Sequence, residues 1–272
     1  MRKTYDISEL QPYINWAYYF HAWQLRDTTR QRQSREEAEQ MLHQLNGTYH
    51  VYALFSLFEA HSTGDDVIIE DTLSQQGMQE RVLSFLRQQE PDSPHLCLAD
   101  FIHPRHDHIG IFATTVDLGM ETDFDHDPYQ KMMVQLLADR LAEAAAEKLH
   151  EEVRRTIWGY APDEHLTMEE LHVEKFQGIR PAVGYPSLPD TSMNFVLDEL
   201  LHFKQIGIRL TESGAMKPHA SVSGLMIALS EAHYFSIGKI GEDQLQDYAR
   251  RRGLPLETMR KFLSTLVVKD NR

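Results

Sequence analysis

The segment DPYQKMMVQLLADRLAEAAAEKLHEEVRRTIWG, residues 127–159, predicts the longest helix of the chain, over 129–157. Asp127 is a preferred helix cap, and Pro128 suits the first helical position. Gly159 is a residue type that commonly follows a last helical turn. The apolar side chains recur at helical spacing and form one stripe: Met133, Leu137, Leu141, Ala144, Ala145, Leu149 and Val153.

A polar face accompanies the apolar stripe of this helix. Glu143, Glu147 and His150 lie about one turn apart along it, because residues three and four apart are neighbours on a helix surface. A carboxylate on this face can reach a neighbouring cleft, although such a side chain is more often simply solvated.

The patterns on both sides of the long helix predict a mixed fold. Strands are predicted from β-branched, aromatic and apolar runs at 49–58, 67–69, 97–102, 109–116, 208–211, 221–229 and 233–240. Helices are predicted at 7–25, 26–46, 78–88, 168–174, 195–206, 242–251 and 256–266. Because strands and helices do not alternate strictly, an α+β fold with an antiparallel sheet is expected.

The stretch IRPAVGYP, residues 179–186, predicts a stiff and irregular loop. Its two prolines fix φ, and Gly184 permits dihedral angles that other residues avoid. We expect backbone amides and carbonyls here that no strand ladder uses. Arg180 adds a planar fork of donors that matches a carboxylate or phosphate. On these residues alone, a rigid structural turn is the better-supported reading and a ligand loop is the alternative.

The composition excludes several classes of function. Lys and Arg number 27 against 41 for Asp and Glu, and this net charge of −14 disfavours nucleic acid as a partner. Cys97 is the only cysteine, which excludes an intrachain disulfide and fits a reducing cytoplasm. The start lacks a signal peptide and no window is apolar enough to span a bilayer, so no membrane association is expected.

Two loops rich in His and Asp, at 103–108 and 123–127, suggest a metal site. No histidine pair stands four residues apart on a helix with a carboxylate nearby, as a typical zinc site requires. We therefore predict no metal site. The last two helices resemble a helix-turn-helix, but the negative charge opposes DNA reading.

Nine short motifs stand in this order along the chain: YINW at 13–16, LADF at 98–101, ADRLAEA at 138–144, WGYAP at 158–162, QGIRP at 177–181, GYP at 184–186, LTES at 210–213, ASVSG at 220–224 and DYARR at 247–251. Together they resemble the C-terminal activation domain of cobalamin-dependent methionine synthase, which binds S-adenosylmethionine. The resemblance covers nearly the whole chain. It implies one C-shaped α+β domain over 1–272, with a twisted antiparallel β-sheet flanked by helices.

The resemblance also implies a function in the repair of cobalamin. In that family the domain closes over cobalamin that has been oxidised to cob(II)alamin. An electron from a flavodoxin-like or ferredoxin-like donor, together with a methyl group from S-adenosylmethionine, then restores methylcobalamin. The implied partner is a cobalamin-binding methionine synthase chain or domain, and complete activity is not expected from this chain alone.

The resemblance assigns roles to individual residues. Arg180 pairs with the carboxylate of S-adenosylmethionine, and Glu143 accepts from its ammonium or from a ribose hydroxyl. Ala182 contacts adenine through its backbone, and Tyr234 adds a ring face or a hydroxyl. Tyr185 matches a tyrosine near the methyl group and the cobalt, and is the catalytic candidate.

Four further cofactor-binding candidates follow from the same resemblance. Ala220, Ser221 and Ser223 belong to a region that is similar to the one packing on the corrin ring. Asn15 stands where the family usually has an aspartate that contacts the amino-acid end of S-adenosylmethionine. A neutral acceptor binds an ammonium less tightly than a charged one, by about 1 kcal/mol, so weaker binding is expected.

Two other functions stay open at this point. One is a reactivation or docking factor for a different corrinoid methyltransferase. The other is a stand-alone small-molecule methyltransferase, although the sequence lacks a glycine-rich strand-to-helix turn with a following acidic residue. The start at Met1 favours a separate subunit, to which a second chain brings the cobalamin, over an excised fragment.

Overall fold

The structure, a computed structural model, describes residues 1–71 and 79–268. Eight strands are present in this part of the chain: Arg2–Asp6 (β1), His50–Thr63 (β2), Asp66–Asp71 (β3), Gln79–Ser84 (β4), Asp107–Val116 (β5), Arg209–Leu210 (β6), Met216–Lys217 (β7) and Ser221–Met226 (β8). Six of them form one sheet in the order β4-β3-β2-β5-β8, with β1 paired to the other half of β2. Every pairing of strands is antiparallel. The predicted α+β class with an antiparallel sheet is confirmed.

The helices of the described chain are Ile7–Leu10 (α1), Trp16–Ala22 (α2), Thr28–Leu45 (α3), Gly119–Thr122 (α4), Pro128–Glu152 (α5), Met168–His172 (α6), Met193–Leu201 (α7), Glu242–Arg251 (α8) and Leu256–Phe262 (α9). Short 3₁₀ segments occupy Gln11–Tyr13, Leu98–Phe101 and Phe203–Ile206. None of these helices combines the length and the apolar character needed to cross a membrane.

The long helix α5 forms as its sequence predicts. The Asp127 carboxylate accepts from the backbone N–H groups of Tyr129 and Gln130, at 2.9 and 3.2 Å, and Pro128 takes the first helical position. The helix continues past Glu152 as a wider π turn over Val153–Ile157. Its apolar stripe is buried, so α5 is fixed on the sheet.

The sheet buries side chains on both faces, because neighbouring residues of a strand point to opposite sides. On β5, Phe112 packs into the cluster that contains the α5 stripe. Ile111 and Ala113 pack into a second cluster together with α7. A third cluster joins α8 and α9. The helix α5 therefore covers one face of the sheet, and its outer side is available to form a site.

The segment 179–183 runs along the free edge of β8. The backbones of Ile179 and Ile227 exchange two hydrogen bonds of 2.9 and 3.0 Å. Val183 donates to Ser223 at 2.9 Å, and Leu225 donates to Pro181 at 3.0 Å. The expectation that no ladder uses these groups is therefore wrong for alternate residues of the loop. The loop is rigid because the sheet edge holds it.

One helix prediction and one strand prediction for residues ahead of α5 are wrong. In the segment predicted as a helix over 78–88, residues 79–84 form β4, because pairing with β3 overrides the helical pattern. The segment 97–102, predicted as a strand, contains a 3₁₀ turn. There the Asp100 carboxylate accepts from the Cys97 N–H at 2.8 Å and from two nitrogens of Arg87 at 2.7 Å. Side-chain hydrogen bonds thus replace a ladder.

The predicted strand over 233–240 is also wrong. Its backbone bonds to the loop beside it: Ile237 donates to the Pro186 carbonyl at 3.0 Å, and Phe235 donates to the Ser187 hydroxyl at 3.2 Å. The sequence analysis missed β1, whose charged residues disguise its pairing with β2. The predicted helix over 7–25 is divided into α1, the 3₁₀ turn Gln11–Tyr13 and α2. The other predicted elements form, with ends shifted by a few residues.

Candidate functional site

A cleft of about 640 Å³ opens between the outer side of α5 and the loop that follows Ile179. Its helix wall carries Arg140, Glu143 and Glu147 from successive turns of α5. The opposite wall consists of residues 180–187, held by β8 and by residues 234–236. The start of α2 and the end of α6 close the remaining sides. The volume lies in the range that holds a small-molecule ligand.

Arg180 lies in the cleft, where the sequence predicts it, and its guanidinium contacts α5. Nη1 donates to the Ala146 carbonyl at 3.0 Å, and Nη2 donates to Glu147 Oε2 at 3.2 Å. Both side chains of this ion pair are 13% exposed. Burial lowers the pKa of Arg180, but the neighbouring groups, with Glu147 foremost, together outweigh burial, and the net shift is upward. The guanidinium is therefore a fixed positive charge inside the cleft.

A second contact crosses the cleft one helical turn away. The Tyr185 hydroxyl donates to Glu143 Oε1 at 2.7 Å, and the Tyr185 side chain is 52% exposed at the cleft mouth. Burial of the phenol and the Glu143 charge raise the pKa of Tyr185. Tyr185 and Glu143, two candidates that the motifs select separately, are thus brought together and bond to each other.

The turn around Gly184 shapes the loop wall. Gly184 has a φ of +90°, which a residue with a side chain rarely adopts, and its N–H donates to Leu188. Ala182 lies opposite Gly224 on β8, and its neighbours Pro181 and Val183 make the hydrogen bonds to that strand. The N–H and C=O of Ala182 itself therefore point away from β8. The Ala182 carbonyl accepts from the Tyr185 N–H at 3.2 Å.

Tyr234 supports the loop from behind. Its hydroxyl accepts from the backbone N–H of Arg180 at 2.9 Å, and burial raises its pKa. Tyr234 also lines the cleft, as does Phe235 beside it. The residue thus fixes the position of Arg180, whichever ligand the cleft accepts.

Asn15 lies at the cleft as well, at the start of α2. Its Oδ1 accepts from the Ala17 N–H at 3.2 Å and caps the helix. An amide has one oxygen, so the other head-group atom of Asn15 is a donor nitrogen. The cap uses one lone pair of this oxygen and leaves the other for a donor of the ligand, so the role of Asn15 in ligand binding stays a prediction.

The three candidates on and beside β8 are not among the described residues that line this cleft. Ala220 is buried in the core beneath α5. Ser221 and Ser223 point to the opposite face from Val222, which is the β8 side chain that lines the cleft. The Ser221 hydroxyl donates to Pro218, and the Ser223 hydroxyl donates to Asn194. Their role in cofactor binding stays a prediction.

The sequence analysis did not assign a role to Glu147, although it placed Glu147 on the polar face of α5. The detectable signal was the spacing of four residues from Glu143, which puts both carboxylates on one side of a helix. Arg140 and Tyr18 are further lining residues and stack at 5.6 Å. The His- and Asp-rich loops contribute nothing to the cleft, and no group of three metal-ligating side chains occurs within 1–71 and 79–268.

The motifs resemble one family, and the comparison with family models decides the assignment. Residues 6–253 match the model described as vitamin B12 dependent methionine synthase, activation domain. The chain belongs to this family. A similar solved structure is the crystal structure of the MetH reactivation domain bound to AdoHcy, which is S-adenosylhomocysteine. It is 37% identical, with a TM-score of 0.91, and the match covers 99% of this chain and 91% of that one.

This membership confirms the resemblance seen in the motifs. An activation domain of a B12-dependent enzyme is a reactivation module, as the name of the similar structure also states. That solved domain binds S-adenosylhomocysteine, the product left when S-adenosylmethionine gives up its methyl group.

Proposed function

We propose that this chain binds S-adenosylmethionine in the cleft between α5 and residues 180–187 and supplies the methyl donor that reactivates cobalamin-dependent methionine synthase. Cobalamin, when bound by its own chain or domain, supplies the reduced cobalt that accepts the methyl group. One domain over 1–272 does this work, and a flavodoxin-like or ferredoxin-like donor provides the electron. The cytoplasm is the proposed setting, because Cys97 is a free thiol.

One observation carries the proposal: the cleft holds a buried guanidinium beside carboxylates, in a domain whose similar solved structure binds S-adenosylhomocysteine. The ligand has a carboxylate and an ammonium on one carbon, and such an end needs both charges of the site. The cleft volume of about 640 Å³ suits a nucleoside with an amino-acid tail.

Different residues of the cleft bind different groups of the ligand. Arg180 pairs with the carboxylate, using guanidinium N–H groups that α5 leaves free. Ala182 offers its outward backbone groups to adenine, and Glu143 lies where it can accept from a ribose hydroxyl or the ammonium. Tyr185, at the exposed mouth, is the residue nearest the methyl transfer in this arrangement.

The proposed methyl transfer does not require an acid or a base from this chain. The methyl group of a sulfonium already has a good leaving group, so no general base is required. The chain contributes by holding the ligand in one orientation and by excluding water from the cleft. Rigid support of the loop by β8 and by Tyr234 serves this purpose.

The test is a methyl-transfer assay with isotopically labelled S-adenosylmethionine, a reductant and candidate corrinoid proteins. We expect labelled methylcobalamin only when this chain is mixed with the cobalamin-binding part of a methionine synthase. Label on the corrinoid of another methyltransferase system alone would favour the docking factor for that system. Label on a small molecule without any corrinoid protein would favour a stand-alone methyltransferase. Either of those results contradicts the proposal.

A further inference from the structure

We propose that Glu147 binds the ammonium of the ligand, so that Glu147 and Arg180 together recognise the amino-acid end. The inference rests on the proposed function and extends it to a residue that neither the motifs nor the family assignment selects. Glu147 acts here as a binding and specificity residue, and it takes no part in the methyl transfer.

The two oxygens of the Glu147 carboxylate differ in their hydrogen bonding. Oε2 accepts from Arg180 at 3.2 Å, whereas Oε1 is buried and has no hydrogen-bond partner within 1–71 and 79–268. A buried carboxylate oxygen without a donor is costly, and native structures rarely retain one without a reason. Since Glu147 lines the cleft, a donor brought by the ligand can satisfy this atom.

The ammonium and the carboxylate of an α-amino acid are attached to the same carbon, so the groups that bind them must stand side by side. Glu147 and Arg180 are in contact, and two of the five guanidinium N–H groups are used by α5. Three remain for the ligand carboxylate, next to the free oxygen of Glu147.

Two other acceptors of the cleft have different partners in the structure. Glu143 Oε1 already accepts from the Tyr185 hydroxyl at 2.7 Å, one turn of α5 away from Arg180. Asn15 Oδ1 is used by the cap of α2. Among the carboxylates that line the cleft in the described part of the chain, which also include Glu174, Glu147 is the one with a hydrogen-bonded ion pair to Arg180 and a buried oxygen that lacks a donor. The cleft then prefers ligands with a complete amino-acid end.

The experiment compares two ligands against two variants by calorimetry. The ligands are S-adenosylhomocysteine and its desamino analogue, in which hydrogen replaces the α-amino group. We expect Glu147→Gln to weaken S-adenosylhomocysteine by roughly 10- to 100-fold, as loss of a charged hydrogen bond requires. The desamino analogue should bind the variant and the wild type within about twofold of each other. The matched control is Glu143→Gln, which should change both ligands by the same factor, because the ammonium is assigned to Glu147 and Glu143 is left to the ribose hydroxyl.

The ratio between the ligands cancels any general effect of the substitution on folding. If Glu147→Gln does not fold, Glu147→Asp is the deciding variant. Its shorter side chain keeps the negative charge but moves it away from the ammonium, so binding of S-adenosylhomocysteine alone should weaken. Equal weakening of both ligands, no weakening, or tighter binding by Glu147→Gln overturns the inference while leaving the proposed function standing. Failure of the wild type to bind S-adenosylhomocysteine overturns the proposed function as well.

Discussion

Arg180 serves two purposes at once, since its guanidinium fixes the loop to α5 and presents a charge to the cleft. Replacement by Lys keeps the charge but loses the planar fork. We expect Arg180→Lys to lower the free energy of unfolding by about 1–3 kcal/mol, because either Ala146 or Glu147 loses its donor. Urea denaturation measures this, with Arg140→Lys as the control. Equal stability of Arg180→Lys and wild type would contradict the assigned contacts.

Asn15 is the second residue with a testable charge. Asp caps helices as well as Asn does, so Asn15→Asp keeps α2 and adds a charged oxygen toward the cleft. We expect the variant to bind S-adenosylmethionine more tightly by about 1 kcal/mol, or roughly fivefold. Calorimetric titration of both proteins checks this. Equal or tighter binding by the wild type would show that this position does not touch the ligand.

The sequence motifs predicted which residues share a cleft better than they predicted the contacts of those residues. Arg180, Glu143, Ala182, Tyr185 and Tyr234 all reach one cleft, as the motifs implied. The partners that these side chains have in the structure were not predictable, because they come from distant segments. The bond between Tyr234 and the Arg180 amide, for example, joins residues 54 apart. Such pairings depend on the assembled fold.

At the scale of elements, the loop depends on its close approach to β8. A Cβ added to Gly224 would stand 2.2 Å from the Pro181 carbonyl oxygen, so Gly224→Ala must push the loop from the strand. We expect a loss of about 1–3 kcal/mol in unfolding free energy and much weaker S-adenosylhomocysteine binding. Chemical denaturation and calorimetry measure the two effects.

The control for this substitution is Gly253→Ala. Gly253 has a φ of +63° and nothing within 4 Å of an added Cβ, so that variant should lose roughly 1 kcal/mol through backbone strain alone. Its ligand affinity should equal that of the wild type. Normal ligand binding by Gly224→Ala would show that the loop does not need this approach.

The helix α5 also carries a buried histidine beneath the cleft. Burial, with the charges of Arg154 and Arg180, holds the pKa of His150 well below its usual value. Below about pH 6.5, His150 binds a proton in the unfolded chain but not in the folded chain. The free energy of unfolding therefore falls as the pH drops below about 6.5.

We expect His150→Gln to remove part of this loss between about pH 6.5 and 5, so its unfolding free energy should depend less on pH. Denaturation series at several pH values measure the slope. His43→Gln, at an exposed position on α3, should keep the wild-type slope. An unchanged slope in His150→Gln would mean that the folded protein accepts the proton.

Elements with strong local signals were predictable, and those defined by distant partners were not. The long helix α5 has a cap, a proline and a continuous stripe, and it formed as expected. By contrast, β4 is an edge strand whose partner is β3, and residues 233–240 bond to Pro186 and Ser187 instead of a strand. The spacing of apolar residues in the sequence does not determine which distant segment a backbone will pair with.

At the scale of the whole molecule, the sheet and α5 form a rigid frame on which the cleft is built. The family membership could be inferred from collinear motifs over nearly the whole chain, whereas the net charge only disfavoured a class of function such as nucleic-acid binding. The sheet edge at β8, the packing of α5 and the loop at 179–187 together place two arginines, Arg140 and Arg180, and two glutamates, Glu143 and Glu147, in one cleft. This arrangement is the basis of the proposed function.

The most direct test is a calorimetric titration of the intact wild-type chain and the Arg180→Lys variant with S-adenosylhomocysteine. We expect saturable binding of one ligand per wild-type chain. We also expect at least about tenfold weaker binding by the variant, because a bidentate contact with the carboxylate is lost. Absence of binding by the wild type, or equal affinity of the two proteins, would contradict the assignment of this cleft as the ligand site.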